Sequence, residues 1–294
     1  MVAVQRPTPL TPTLPIHDWQ WRDHTIRYTV QGEGAQPLLL LHGFGASLGH
    51  WRKNIPVLAA AGYRVYALDL LGFGGSAKPP LDYTVEMWVE LIQDFWAAQI
   101  QQPMVLVGNS IGGLLSLMVL AQTPAIARAG VLINCAGGLN HRPDELSLPL
   151  RLVMGAFTQV VSSPLTGPFV FNLIRQKSRI KNTLYQVYRD RNAVTDELVE
   201  MLYRPSCDPG AQQVFASVLT APPGPAPSEL LPKIQQPLLV LWGDADPWTP
   251  IKGAQIYQTQ PQVTFHPIPG AGHCPHDEVP ERVNHALLDW LGSL

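Results

Sequence analysis

Gly108-Asn109-Ser110-Ile111-Gly112 is the stretch on which the reading of this chain turns. An apolar run, Met104-Val105-Leu106-Val107, leads into it, and a helix-like run from Leu114 to Ala121 leads out. A serine with glycine two residues to either side, set between a strand and a helix, sits on a very sharp turn and has a strained backbone. A side chain at either flanking position would collide across the turn, and glycine removes the collision. The pattern predicts a serine hydroxyl held in the open, placed to attack.

Working outward, Leu38 to Leu41 is continuously apolar, as are Val65-Tyr66-Ala67-Leu68, Val131-Leu132-Ile133 and Leu238 to Leu241. Such runs read as strands buried on both faces of a parallel sheet. Asp18 to Gln31 alternates polar and apolar and reads as one or two antiparallel strands. Helical patterns cover Thr84 to Ile100, Ile111 to Gln122 and Val279 to Leu291. This alternation predicts a doubly wound, mostly parallel central sheet with flanking helices. The rhythm breaks from Gly137 to about Gln235, an interval too long for a structureless loop. It reads as an inserted helical cap. The expected organisation is a flexible, proline-rich leader at 1–15, a core of 16–136 and 236–294, and a cap at 137–235.

Composition narrows the classes. With 294 residues and 46% hydrophobic content the chain can bury a large core. A net charge of −2 without a long basic block argues against a nucleic-acid partner. The cysteines, Cys135, Cys207 and Cys274, are odd in number and far apart, which fits a reducing compartment rather than a disulfide framework. The N-terminal residues carry neither the apolar core of a secretory signal nor the serines of a transit peptide, so a protein that is not secreted is expected.

A serine hydroxyl is a weak nucleophile at neutral pH; it needs a base, and the base needs an orienting acid. Downstream of Ser110, Leu241-Trp242-Gly243-Asp244-Ala245-Asp246-Pro247 closes a strand with two carboxylates. Gly270-Ala271-Gly272-His273 then sets a histidine in a glycine-rich loop before the last helix. Order and strand-end positions assign Ser110 as nucleophile, His273 as general base and Asp246 as orienting acid. Asp244 is the rival acid, read as capping the turn. His276 is the rival base, read as a solvated or pocket-lining side chain. The oxyanion of the tetrahedral intermediate calls for two donors. The Ile111 N–H is one, and the Phe44 N–H, in His42-Gly43-Phe44-Gly45 after the Leu38 strand, is the other. The Phe44 ring would also wall the pocket. His42 reads as scaffold, Asp69 as the acceptor that fixes its glycine-rich loop, and Cys274 as a small packed residue. No metal-ligand spacing or Gly-Lys-Ser/Thr loop is present, so no cofactor or metal is expected.

The cap has no acidic residue between Leu146 and Arg189, but carries Arg151, Arg175, Lys177, Arg179, Lys181 and Arg189 beside apolar clusters at Leu150–Met154 and Phe169–Phe171. Two readings stand. One is an amphipathic helix pair packed on the core. The other is a cap that also touches an anionic lipid surface.

Together, His42-Gly-Phe-Gly, Gly108-Asn-Ser-Ile-Gly-Gly and Gly270-Ala-Gly-His resemble the α/β-hydrolase superfamily from Asp18 to Leu294. Ser110 argues against its dehalogenases and epoxide hydrolases, whose nucleophile is an aspartate. Finer motifs are Asp208-Pro-Gly-Ala211, Glu229-Leu-Leu-Pro-Lys-Ile234, Trp242-Gly-Asp-Ala-Asp-Pro-Trp-Thr-Pro250 and Gly272-His-Cys-Pro-His-Asp-Glu-Val-Pro280. These resemble the pheophytinase and chlorophyll dephytylase family, on whose catalytic residues Ser110, Asp246 and His273 fall. The resemblance implies hydrolysis of the phytyl ester of a chlorophyll-type tetrapyrrole, giving phytol and a chlorophyllide or pheophorbide. It implies a hydrophobic ester substrate; for the long apolar groove and broad wall this needs, Phe44 and, in the cap, Phe157, Phe169, Phe171, Leu173 and Tyr185 are the candidates, and core packing of the cap explains the cap residues equally well. The short N-terminus points to a cyanobacterial protein, cytoplasmic or peripheral on the thylakoid membrane. Carbon–carbon bond hydrolases and general carboxylesterases share the same serine turn and stand as alternatives. A non-catalytic binding protein of the same fold is the alternative from another class.

Overall fold

Along the strand Pro37–Leu41, alternate leucines enter different cores: Leu39 and Leu41 join one apolar cluster, Leu38 and Leu40 a second. The same division separates Tyr66 and Leu68 from Val65 and Ala67, and Met104 and Leu106 from Val105 and Val107. Successive strand side chains point to opposite faces, so an unbroken apolar run requires cover on both. In this computed structural model, residues 14–140 and 148–294 are described.

The strands are β1 (His17–Trp21), β2 (His24–Gln31), β3 (Pro37–Leu41), β4 (Arg64–Leu68), β5 (Met104–Asn109), β6 (Ala127–Ile133), β7 (Leu238–Gly243) and β8 (Val263–Ile268). They form one sheet in the order β1-β2-β4-β3-β5-β6-β7-β8. The β1–β2 and β2–β4 pairs are antiparallel. All the others are parallel. The α-helices are α1 (Ile55–Ala60), α2 (Val85–Phe95), α3 (Ile111–Gln122), α4 (Leu148–Ser162), α5 (Gly167–Ile174), α6 (Lys177–Val187), α7 (Asp196–Ser206), α8 (Ala211–Thr220), α9 (Pro227–Leu230), α10 (Gln255–Gln258), α11 (Pro275–Glu278) and α12 (Pro280–Leu291). The Thr84 hydroxyl accepts the Met87 N–H at 3.2 Å and starts α2. The helix expected to run to Ile100 ends as α-helix at Phe95, continues as one wide turn over Trp96–Ile100, and stops at Gln101 with φ 56°. Helix α3 is buried on all sides over its first ten residues, as befits the element that follows the serine turn.

Between β6 and β7 lies the insertion, built of α4 to α9 where it is described. Its own small cluster joins Leu184, Val187, Tyr188, Val194 and Leu198. Leu230, Leu231 and Ile234, at the end of the interval read as cap, pack into the first cluster, as do Val214 and Val218 of α8. The expected leader falls mostly outside the described residues; Leu14, inside its expected bounds, already packs on the second cluster. No helix among the described residues is long and apolar enough to cross a membrane.

Candidate active site

Ser110 closes β5 and opens α3 with φ 54° and ψ −117°, a region L-residues rarely occupy. The neighbouring glycines show why the chain tolerates this. A Cβ on Gly108 would lie 2.1 Å from the Gly112 carbonyl oxygen, and one on Gly112 would lie 2.2 Å from that of Leu41. The turn is clamped from the next strand. The Ser110 N–H donates to the Ile133 carbonyl (3.0 Å), and the Ser110 carbonyl accepts the Ala136 N–H (3.0 Å).

The histidine and the acid come from the ends of β8 and β7. His273 Nδ1 donates to Asp246 Oδ2 at 2.6 Å, and both residues are buried. The same carboxylate oxygen accepts Asn134 Nδ2 at 2.8 Å and a short hydrogen bond from the Thr249 hydroxyl, while Oδ1 accepts the Trp248 N–H at 2.7 Å. Burial alone would raise the Asp246 pKa. The bond and charge of His273, the Thr249 hydroxyl and the Trp248 amide outweigh it, and the carboxyl lies below its ordinary value. Asp246 is thus held ionised against the imidazole. Asp244 is occupied elsewhere, accepting the Gly270 N–H at 2.7 Å as a turn cap.

His276 corrects the sequence reading. It is neither solvated nor pocket-lining; its ring is fully buried and stacks on Trp51 at 4.2 Å. His50, not singled out from the sequence, lines the cavity instead.

Several polar residues that the sequence reading passed over hold the histidine loop. Asn109 Nδ2 donates to the His273 carbonyl at 3.0 Å, linking the serine turn to that loop. The His273 N–H donates to the Val187 carbonyl at the end of α6 (2.8 Å). Glu278 Oε2 accepts the Gly272 N–H at 2.8 Å. Next to it, the fully buried Asp277 pairs with Arg52 (2.8 Å) and Lys53 (3.1 Å) and accepts the Tyr188 hydroxyl (2.9 Å). These partners lie far apart in sequence. Of these, Asp277 and Glu278 fall within the motif Gly272-His-Cys-Pro-His-Asp-Glu278, but nothing in it gives their role.

Ser110 and His273 line one cavity of about 260 Å³ between sheet and cap. Ser110 Oγ has no hydrogen-bond partner among the described residues, which leaves it free toward the cavity. Bonds between a nucleophile and its base are often long before substrate arrives. The Phe44 and Ile111 amides likewise donate to no acceptor among the described residues. The rest of the wall is mostly apolar, with His50, Lys78, Asn109, Arg175, Thr183 and Ser206 its polar members. Phe44 and Phe171 both line it. Phe157, Phe169, Leu173 and Tyr185 do not: the first three are exposed on the cap, and Tyr185 lies under the Arg191 guanidinium. Their places are taken by Phe215, Val214, Leu202 and Trp248. Phe215 stands 5.3 Å from Phe171 and 6.0 Å from Phe44, ring to ring.

The supporting residues behave as their sequence contexts predict. His42 Nδ1 donates to the Gly43 carbonyl (2.8 Å) and Nε2 accepts the Leu70 N–H (3.1 Å), so it is scaffold. Asp69 accepts the Leu48 and Gly75 amides at 2.6 and 2.7 Å. Cys274 is buried, and burial pushes its thiol far up, away from reactivity. The basic stripe of the cap is partly neutralised: Lys177 pairs with Glu200 and Lys181 with Asp196, both on α7.

Comparison with known proteins bears on the fold and the family. The chain is 29% identical over 300 residues to the chloroplastic pheophytinase of Arabidopsis thaliana, covering 88% of this chain and 62% of that protein. It therefore spans less than two thirds of that relative. It is 28% identical over 274 residues to 2-hydroxy-6-oxo-6-(2'-aminophenyl)hexa-2,4-dienoic acid hydrolase of Metapseudomonas resinovorans, covering 90% and 87% of the two chains. Among solved structures, a serine hydrolase of carbazole degradation superposes with a TM-score of 0.78 at 24% identity, over 96% of this chain and 100% of that one, which bears on the fold alone. Residues 38–286 match the profile described as the Alpha/beta hydrolase family, from the strand before the Phe44 loop to the last helix, and the chain belongs to that family.

Proposed function

We propose that this chain hydrolyses a carboxylic ester through a serine acyl-enzyme, and that its substrate is the phytyl ester of a chlorophyll-type tetrapyrrole. One observation carries the reading: an ionised, buried Asp246 holds His273 at 2.6 Å in the same apolar cavity that Ser110 faces from a positive-φ turn. His273 Nε2 takes the Ser110 proton as Oγ attacks the ester carbonyl. The Phe44 and Ile111 amides, at hand without other acceptors, receive the developing oxyanion. The imidazolium, stabilised by Asp246, protonates the departing alcohol. The neutral imidazole left behind then takes a proton from a water, whose attack releases the acyl group as acid.

The cavity's size informs the choice of substrate. Ligand pockets commonly measure roughly 300–1,000 Å³. At about 260 Å³ this one is small for a whole phytyl–tetrapyrrole ester, and on this reading it takes the reacting ester and part of one arm, with the remainder at the rim. Trp248, half exposed and 5.5 Å from the His273 ring, offers a flat wall at that rim. The pheophytinase relative and the shared Gly-His-Cys-Pro segment favour the phytyl ester over other esters. A thylakoid setting follows from that substrate.

The test is incubation with pheophytin a, chlorophyll a, a short p-nitrophenyl ester and a ring-cleavage dienoate, with products separated by chromatography. Release of phytol from either pigment supports the reading. Turnover of the short ester alone reduces it to a general carboxylesterase. Cleavage of the dienoate alone makes it a carbon–carbon bond hydrolase.

A further inference from the structure

The hairpin formed by α4, the turn at 163–166 and α5 presents an unusual surface. Along α4, Leu152, Val153, Phe157 and Val160 are exposed, Leu152 to 68%. At the turn Leu165 is 90% exposed, and on the first turn of α5 Phe169 is 73% exposed. The turn that carries Leu165 is held in shape: Thr166 Oγ1 donates to the Val160 carbonyl (2.6 Å), and the Gly167 N–H donates to that of Ser163 (2.8 Å). Leu165 is therefore presented on an ordered turn. Large apolar side chains left contiguous in this way mark an interaction surface.

We infer that this hairpin is a docking surface for an anionic lipid bilayer. Charge selects the occupant. Residues 148–187 hold Arg151, Arg175, Lys177, Arg179 and Lys181 and no acidic residue. Two of these cations are shared with α7 and Arg175 turns to Asn172, Cys207 and the cavity, whereas Arg179 is exposed and has no ionic partner among the described residues. A second copy of the chain would bring the same cations against themselves. An anionic bilayer meets both features: acyl chains take the leucines, and headgroups take Arg179. Position adds a second argument. On α5, Phe169 faces outward while Phe171 and Ile174 line the cavity. One short helix therefore has the bilayer face on one side and the catalytic cavity on the other, and a lipid-soluble ester would pass between them over little more than a helix diameter. The docking surface itself does not depend on which ester is cleaved.

The experiment is sedimentation of the full chain with vesicles of phosphatidylcholine mixed with phosphatidylglycerol, and with vesicles of phosphatidylcholine alone. Wild type is expected to bind the mixed vesicles, more weakly as salt rises, and the double variant Leu152→Glu/Leu165→Glu to bind roughly tenfold less or worse. Both positions are exposed, so thermal melting is expected to be unchanged, as is turnover of a short p-nitrophenyl ester in solution. Equal binding of variant and wild type overturns the proposal, as does failure of the wild type to bind mixed vesicles. A wild-type dimer in analytical ultracentrifugation that the double variant dissolves also overturns it, assigning the face to a second copy. Loss of ester turnover in the wild type would sink the hydrolase reading and leave the vesicle result standing.

Discussion

Glu278 accepts the backbone N–H of Gly272 at 2.8 Å, so the residue before His273 is held from helix α11. The other carboxylate oxygen accepts the Arg189 and Asp190 amides, each at 2.7 Å. One side chain thus joins the histidine loop to the chain leaving the cap helix α6. Glu278→Ala strands three amides and is expected to cost about 3 kcal/mol in urea unfolding. It is also expected to lower kcat for a short ester about tenfold, because the imidazole loses its fixed position, with KM nearly unchanged. Equal stability in variant and wild type would show that the clamp carries no energy.

Ser110 sits where glycine would be at ease, at φ 54° and ψ −117°. Ser110→Ala keeps the strain and removes the hydroxyl. Turnover is expected to fall by about 10⁴-fold or more, with labelling by a fluorophosphonate abolished. Ser110→Gly removes the strain as well, and is expected to melt above Ser110→Ala by about 1 kcal/mol of stability. A Ser110→Ala enzyme that keeps most of its esterase activity would refute the nucleophile assignment.

How much of this was legible in the sequence differed by residue, for physical reasons. Strands β3 to β7 are buried on both faces, and burial on both faces leaves an unbroken apolar run that can be read directly. Strand β8, Val263-Thr-Phe-His-Pro-Ile268, escaped because it is the edge strand: half its side chains are wet, and Pro267 is tolerated where a neighbouring strand is missing. The catalytic candidates could be read because turn geometry fixes their local sequence. Asn109 and Glu278 could not, since a hydrogen bond between residues 109 and 273 has no local signature. The cap aromatics show a third limit. Helix α5, Gly-Pro-Phe-Val-Phe-Asn-Leu-Ile, is apolar at nearly every position, so periodicity does not say that Phe171 faces inward and Phe169 outward.

Phe215 bridges Phe44 and Phe171 across the cavity wall. Phe215→Ala is expected to raise KM for a long-chain p-nitrophenyl ester by roughly tenfold, the share of side-chain burial lost to the acyl or alcohol arm. Turnover of the acetate, which does not reach that wall, is expected to stay within about twofold. A uniform loss across chain lengths would instead mean that the ring supports the fold.

Buried histidines set the acid limit of the fold. Burial is the main cause lowering His42 and His50 from 6.5 to about 4, and it takes His276 well below its ordinary value. Unfolding returns each to about 6.5. Between those values the unfolded chain binds protons that the native state refuses, so stability is complete above about pH 6.5 and is lost toward pH 4. Asp69 acts in the opposite sense. Burial raises it from 3.8 to about 6 against the pull of the Leu48 and Gly75 amides. In that window the native state keeps a proton the unfolded chain has released, so acidification favours folding there. Three histidines against one aspartate give a net loss of stability between pH 7 and pH 5. Urea midpoints at the two values check this, and a midpoint that holds or rises at pH 5 contradicts it. His276→Phe keeps a ring on Trp51, 4.2 Å away in the wild type, and removes one titrating group. Its midpoint is expected to fall less steeply than that of the wild type over the same interval.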